Sequence, residues 1–213
     1  MNFQAPPPHT VRPTLILVVC VALLVLAGII TAHVIAGHRF AFEELLMMWI
    51  HTHTGEWFTP IAGVMHYAGK TSLAVPVIAL LVVCLLLRGR RDYGLFIGLS
   101  TLLPTLIMLA VKFFISRPRP EFWPRIIAET NSSFPSGHST FSAALATITF
   151  LLCMRSRHRG IILLAGICFA LLMGYSRMYL GVHYPTDVWV GWTNGVLTTL
   201  ALYYCFFRKR FVQ

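Results

Sequence analysis

The chain has 213 residues, of which 57% are hydrophobic and only 11% charged, with a mean hydropathy of +0.73, which excludes an ordinary soluble domain and implies a membrane protein. The formal net charge of +10 does not point to nucleic acid, because the basic residues fall in short clusters between apolar runs instead of lining one face. All five cysteines lie inside apolar runs without CxxC or zinc spacing, which argues against disulfides and structural zinc.

Residues 1–13 are polar and proline-rich and read as a short unstructured tail, followed by a single membrane domain over residues 14–213. Residues 14–36 form the first apolar run. A cleaved signal peptide is the alternative, but the run exceeds the usual apolar region of about 7 to 15 residues, and its length favours a retained spanning helix. Beyond it, Phe42, Leu45, Leu46, Trp49 and Ile50 recur at the spacing of one helical face. With Glu43 and Glu44 off that face and Trp49 and Trp57 suited to the headgroup level, this helix is expected to lie along the bilayer surface in a packing role. His51, His53 and Glu56 lack a fourth ligand and make a weak metal site.

Further apolar runs at residues 72–87, 93–115, 139–154, 161–179 and 188–207 bring the expected number of spans to six, with kinks expected at Pro76 and Pro104. The predicted fold is an all-α integral membrane bundle of six transmembrane helices, with the amphipathic helix on the outer face between spans one and two. Arg88, Arg90 and Arg91 follow span two, Arg155, Arg157 and Arg159 follow span four, and Arg208, Lys209 and Arg210 follow span six. By the positive-inside rule these ends and both termini are cytoplasmic, and the loops after spans one, three and five face outward.

The outward loops carry the chemistry. Residues 134–140 read FPSGHST, a helix N-terminus with Ser136 as N-cap, Gly137 permitting close approach to the backbone, and unpaired amides suited to an anion. His138 adds a titratable imidazole; a plain helix cap with an incidental histidine is the simpler reading of this stretch alone. On the same face lie KFFISRPRP at residues 112–120 and SRMYLGVHYPTD at residues 176–187. Lys112, Arg119 and Arg177 suit phosphate oxygens, although each taken singly also reads as a snorkelling or headgroup-contacting side chain.

Together the three stretches resemble the motifs of the type 2 phosphatidic acid phosphatase family, which also includes vanadium haloperoxidases: K-x6-RP, then PSGH, then SR-x5-H-x3-D. They map onto Lys112 with Arg119 and Pro120, onto residues 135–138, and onto Ser176, Arg177, His183 and Asp187. Arg117 and Pro118 form a second Arg-Pro pair, and only the family spacing selects Arg119. The resemblance implies that His183 attacks phosphorus to form a phosphohistidine, that Asp187 orients and stabilises its ring, and that His138 protonates the leaving oxygen and then activates water. It also implies that Ser136, Gly137, Lys112, Arg119 and Arg177 hold the phosphoryl oxygens.

No cofactor is expected, since the outer loops offer no cluster of Asp or Glu that could hold magnesium. The implied activity is metal-independent hydrolysis of a lipid phosphate or diphosphate at the outer face of a bacterial inner membrane. Undecaprenyl diphosphate comes first, with Arg117 and Arg125 available for a second phosphate; phosphatidylglycerol phosphate and phosphatidic acid are the alternatives. A lipid phosphotransferase remains open, because the sequence does not separate water from a lipid hydroxyl as acceptor. A non-catalytic lipid transporter is disfavoured by the absence of an internal repeat, and haloperoxidase chemistry by the solubility of those relatives. The partners expected are the lipid substrate and the membrane, with no nucleic acid and no obligate protein.

Overall fold

In the computed structural model residues 13–212 are described, and the stretch read as a tail falls outside them up to residue 12. The described residues form helices and no strand: α1 Pro13–Ile35, α2 Ala41–His53, a 3-10 turn Glu56–Phe58, α3 Thr59–Ala68, α4 Thr71–Leu87, α5 Arg91–Phe114, α6 Gly137–Cys153, α7 Arg159–Tyr179, α8 Pro185–Leu202, a π-helical turn Tyr203–Phe207, and α9 Arg208–Val212. Each expected apolar run became a helix, with its ends shifted by no more than five residues.

Three helices are long and apolar enough to cross a membrane on their own, Thr14–Ile35, Arg91–Phe114 and Arg159–Tyr179. A fourth crossing exists if Glu56–Ala68 and Thr71–Leu87 act as one span bent by 51°. The six expected spans are therefore not all carried by length and apolarity. Helix α6, at 17 residues, is short for a hydrocarbon core of about 30 Å. Helix α8 includes Thr186, Asp187, Thr193, Asn194, Thr198 and Thr199, because it is packed inside the protein and does not need a lipid-facing surface all round. The sharp bend sits at the break between α3 and α4, not at a proline: α4 and α5 run on through Pro76 and Pro104.

Helix α8 packs most extensively on α6, and α6 in turn lies against α7 and α5. Glycines set the close approach of α8 to α6. A Cβ on Gly191 would lie 2.6 Å from the Ser136 carbonyl oxygen, and one on Gly195 2.4 Å from that of Thr140. Gly191 and Gly195, four residues apart, thus form a small-residue stripe that lets two backbones touch. Hydroxyls along α6 bond back into their own helix, Thr140 to the Ser136 carbonyl and Thr147 to that of Ala143, so its polar residues leave few demands on their neighbours.

Helix α2 departs from its expected one-sided reading. Phe42, Leu45, Leu46 and Trp49 are exposed as foreseen, but Ile50 is buried with Met47, and Glu43 is only 1% exposed. The apolar face is exposed, and the opposite face, carrying Glu43, meets the protein. Ile50 joins Phe58, Ala62, Tyr179, Leu180 and Val182 in a core cluster that ties α2 and α3 to the end of α7. A second cluster, around Phe96, Ile148, Tyr203 and Phe207, closes the opposite end of the bundle.

Candidate active site

All eight residues singled out in the sequence gather at one end of the bundle, where α5 ends, α6 and α8 begin, and α7 runs into the turn before His183. The N-terminus of α6 forms as read: the Ser136 hydroxyl oxygen accepts from the Ser139 amide at 3.3 Å. Ser136 is fully buried, and its amide donates to the Asp187 carbonyl at 3.0 Å, which fastens the PSGH turn to α8.

A cavity of about 490 Å³ opens among these residues, with Lys112, Arg119, Gly137, His138 and His183 in its wall. From this polar mouth it runs between α4 and α5 past Ala74, Ile78, Leu102 and Met108 to Val82 and Gly98. The 14 residues separating Gly98 from Lys112 correspond to about 21 Å of helix. The cavity is thus a polar pocket continued by an apolar groove inside the membrane-embedded part of the chain.

His183 lies outside α8, which starts at Pro185 after an extended Tyr184, so it and Asp187 do not share a helical face. They meet nonetheless: His183 Nδ1 is 3.5 Å from Asp187 Oδ2. On the other side of the ring, Nε2 is 3.4 Å from an Arg119 nitrogen. A guanidinium can only donate. This places the lone pair on Nε2 and the ring proton on Nδ1, on the side of the carboxylate but not hydrogen-bonded to it at this distance. Burial, and after it the charges of Arg119, Arg177 and Lys112, push the His183 pKa well below the ordinary histidine value.

Asp187 is wholly buried. Its Oδ2 accepts from the Ser133 hydroxyl and from the Tyr184 amide, the second being the N-terminal capping contact of an acidic third residue in a helix. His138 Nε2 lies 2.9 Å from the His66 carbonyl oxygen; since a carbonyl only accepts, Nε2 carries the proton and Nδ1 is the free site. The ring passes so close to the α3–α4 break that a Cβ on Gly69 would sit 2.4 Å from its Cδ2.

Backbone carbonyls and the Asn131 side chain hold two of the three cations, and an imidazole and a carboxylate hold the third. Arg119 donates to the carbonyls of Asn131 and Val182 at 2.9 and 2.7 Å and to the Asn131 side chain at 2.5 Å, and burial lowers its pKa from the usual arginine value. Lys112 donates to the Ser132 carbonyl. Arg177, with no exposed surface, reaches the His66 ring and Glu129, each at 3.0 Å.

Two residues of this end, Glu129 and His66, escaped the sequence reading, and two others, Arg117 and Arg125, are placed differently from it. Glu129 places one oxygen 3.0 Å from Arg177 and the other 3.7 Å from Arg119, so a carboxylate bridges two of the cations assigned to phosphate. His66 supplies both the carbonyl under His138 and a ring partner for Arg177. Arg117, offered earlier as a ligand for a second phosphate, points away from the main cavity to Asp187 and Glu43 at 2.5 and 2.8 Å. Arg125 pairs with Glu121 at 3.2 Å. Neither arginine lines the cavity, because each satisfies its charge locally. Among the described residues no group of three His, Cys, Asp or Glu side chains is arranged to hold a metal ion.

The sequence profile of the PAP2 superfamily matches residues 93–211. Phosphatidylglycerophosphatase B of Bacillus subtilis is 30% identical over 146 residues, covering 66% of this chain and 71% of the relative. Undecaprenyl-diphosphatase of Sulfolobus acidocaldarius is 31% identical over 132 residues, 60% of each chain. The crystal structure of the transmembrane PAP2-type phosphatidylglycerolphosphate phosphatase from Bacillus subtilis superposes with a TM-score of 0.77 at 28% identity, over 90% of this chain and 96% of that one. Aquifex aeolicus LpxE superposes at 0.63 with 25% identity, over 76% and 94%. The matched profile spans α5 to α9 and with them every motif residue, and the superposed fold extends to the remaining helices: the chain belongs to the PAP2 superfamily, as a membrane-embedded phosphoric ester hydrolase.

Proposed function

We propose that the protein hydrolyses the terminal phosphate of a membrane lipid, with undecaprenyl diphosphate as the favoured substrate, from the outer face of a bacterial inner membrane. The observation that carries this reading is the joined cavity: a cluster of cations and two histidines at its mouth, and an apolar groove of about 21 Å along α5 that suits a lipid tail. A soluble phosphoester would have no use for the groove. Six crossings, formed by α1, the bent α3–α4 pair and α5 to α8, would place both termini on the cytoplasmic side, as the arginine clusters at the far ends require.

In this mechanism Lys112, Arg119, Arg177 and the amide of Gly137 bind the three equatorial oxygens and stabilise their charge, while the Ser136 amide, already donated to the Asp187 carbonyl, holds the turn in place instead of binding phosphate as the sequence suggested. His183 Nε2 attacks phosphorus as the bond to the leaving oxygen breaks. His138, protonated beside the bound phosphoryl group, gives that oxygen its proton. Asp187 faces the Nδ1 proton and balances the positive charge that forms on the imidazole. Water then attacks the phosphohistidine, passes a proton to His138, and inorganic phosphate leaves with His183 restored. Both buried carboxylates near the site are engaged by arginine, which supports chemistry without a metal.

Lys70 lines the mouth on the α4 side and replaces Arg117 and Arg125 as the cation available to a second phosphate. That phosphate is adjacent in undecaprenyl diphosphate and a glycerol away in phosphatidylglycerol phosphate, which is the second reading; two of the relatives carry these two activities in their names. The test is phosphate release by the purified protein, in detergent with a strong chelator, from undecaprenyl diphosphate, phosphatidylglycerol phosphate and phosphatidic acid. The highest kcat/KM is expected for undecaprenyl diphosphate. A preference for phosphatidylglycerol phosphate establishes the second reading, and a strict need for added magnesium overturns the metal-free mechanism.

A further inference from the structure

Arg117 belongs to none of the phosphate-binding contacts, yet it is buried with its side chain 6% exposed, between Asp187 at 0% and Glu43 at 2%. One guanidinium nitrogen donates to Asp187 Oδ1 at 2.5 Å and to the Thr186 hydroxyl at 2.9 Å; the other donates to Glu43 Oε2 at 2.8 Å. The Thr186 hydroxyl donates to the second oxygen of Glu43, and the guanidinium lies 4.1 Å from the centre of the Tyr184 ring. The Arg117 carbonyl accepts from the Ser133 amide at 2.9 Å, and the Ser133 hydroxyl donates to Asp187 Oδ2. Arg117 therefore reaches both oxygens of Asp187, one through its side chain and the other through Ser133.

The two oxygens have separate duties. Oδ1 is taken by Arg117, and Oδ2 is the one that lies 3.5 Å from His183 Nδ1. A carboxylate fixed in this way cannot rotate to offer His183 a different oxygen. Charge matters as well as position. Arg117 with Asp187 alone is a neutral pair, which would do little for the imidazolium formed on attack at phosphorus. Glu43 changes that, because two carboxylates against one guanidinium leave one negative charge beside His183 in a buried setting, where it is weakly screened.

We infer that Arg117 and Glu43 are positioning residues, a buried pair that fixes the rotamer of Asp187 and restores its negative charge, so that the surface-lying helix α2 is part of what aligns the nucleophile. The inference rests on the roles proposed above for His183 and Asp187. Neither Arg117 nor Glu43 lines the main cavity, so neither touches the substrate. A lysine at 117 keeps the charge but lacks the planar fork that serves two carboxylates at once.

The test uses the full-length protein in detergent with R117K, E43Q, the double variant and D187N, reading kcat, KM, the single-turnover rate of phosphoenzyme formation, inhibition by vanadate, and the melting temperature. R117K should lower kcat and phosphoenzyme formation by about 10- to 100-fold, the scale set by misplacing a reacting group. KM and vanadate inhibition should stay within about twofold, because the phosphate-binding cations are untouched. E43Q should lose about three- to tenfold in kcat, and the double variant less than the product of the two, since the pair acts as a unit. Kcat within about twofold of the parent in R117K and E43Q, with D187N inactive, overturns this inference alone. An active D187N overturns the reading beneath it as well. Parallel falls in vanadate affinity and melting temperature reduce the pair to a structural role and also overturn it.

Discussion

Glu129 is the residue whose position carries the most immediate consequence. Its carboxylate bridges Arg177 and Arg119, where a phosphoryl oxygen would otherwise be placed, and a dianion cannot share those forks with it without repulsion. With the phosphate-binding roles proposed for these arginines, substrate must displace it. Glu129→Gln removes the competing charge and should lower both KM and the inhibition constants of phosphate and vanadate by about five- to tenfold, the worth of one charge-assisted hydrogen bond. Unchanged or weaker inhibition would show that the carboxylate does not compete. His183 makes a second prediction at this scale. Its folded-state pKa is depressed by burial and by Arg119, Arg177 and Lys112, so in histidine-labelled NMR spectra its ring should remain neutral from about pH 8 down to about 5, where a free histidine titrates. The sign for stability follows: below about pH 6.5 the unfolded chain takes up this proton before the folded one, and stability falls as pH drops from there towards the folded value. A His183 titration near 6.5 would contradict the environment described here.

At the scale of elements, the pairing of α6 with α8 joins the PSGH turn to His183 and Asp187. It depends on Gly191 and Gly195. Gly195→Ala puts a methyl 2.4 Å from the Thr140 carbonyl oxygen, a backbone atom that cannot step aside, and overpacking of this kind costs about 1–3 kcal/mol. The variant should melt earlier and lose kcat, whereas Gly63→Ala, with nothing within 4 Å of the new Cβ, should do neither; equal behaviour of the two would remove the close-packing argument. The stripe is present as G-x3-G in residues 191–195, but the spacing alone does not say which helix packs against it. Helix α2 was legible in type and place from the spacing of Phe42, Leu45, Leu46 and Trp49. What it does was not, because a buried Glu43 and an exposed one look alike until Arg117 is found opposite, 74 residues on. The same limit applies to Arg117. The family spacing chose Arg119 over it for the motif and left it to a second phosphate, but its partners lie on α2 and α8, and no local pattern links them. The number of crossings was the least legible feature, since three helices, or four with the bent pair, are long and apolar enough to cross, while α6 is short and α8 carries polar residues packed inside the protein.

For the whole molecule, the catalytic end and the arginine-rich end are separated by the length of the bundle, so orientation decides which compartment the phosphate enters. In a cysteine-free background, Thr130→Cys should react with a membrane-impermeant maleimide on intact cells and Lys209→Cys only after permeabilisation; both positions are exposed, and the reverse pattern would invert the topology. The central claim is the division of labour between the two histidines. It is tested most directly by rapid quench of labelled substrate into alkali, searching for an alkali-stable phosphohistidine in the parent protein, His183→Ala and His138→Ala. The parent should show a transient phosphoenzyme and His183→Ala none. His138→Ala should form it slowly and hydrolyse it slowly, by the factor of about 10² to 10⁴ that general acid–base catalysis supplies. Phosphoenzyme in His183→Ala with none in His138→Ala would contradict the account and exchange the two roles.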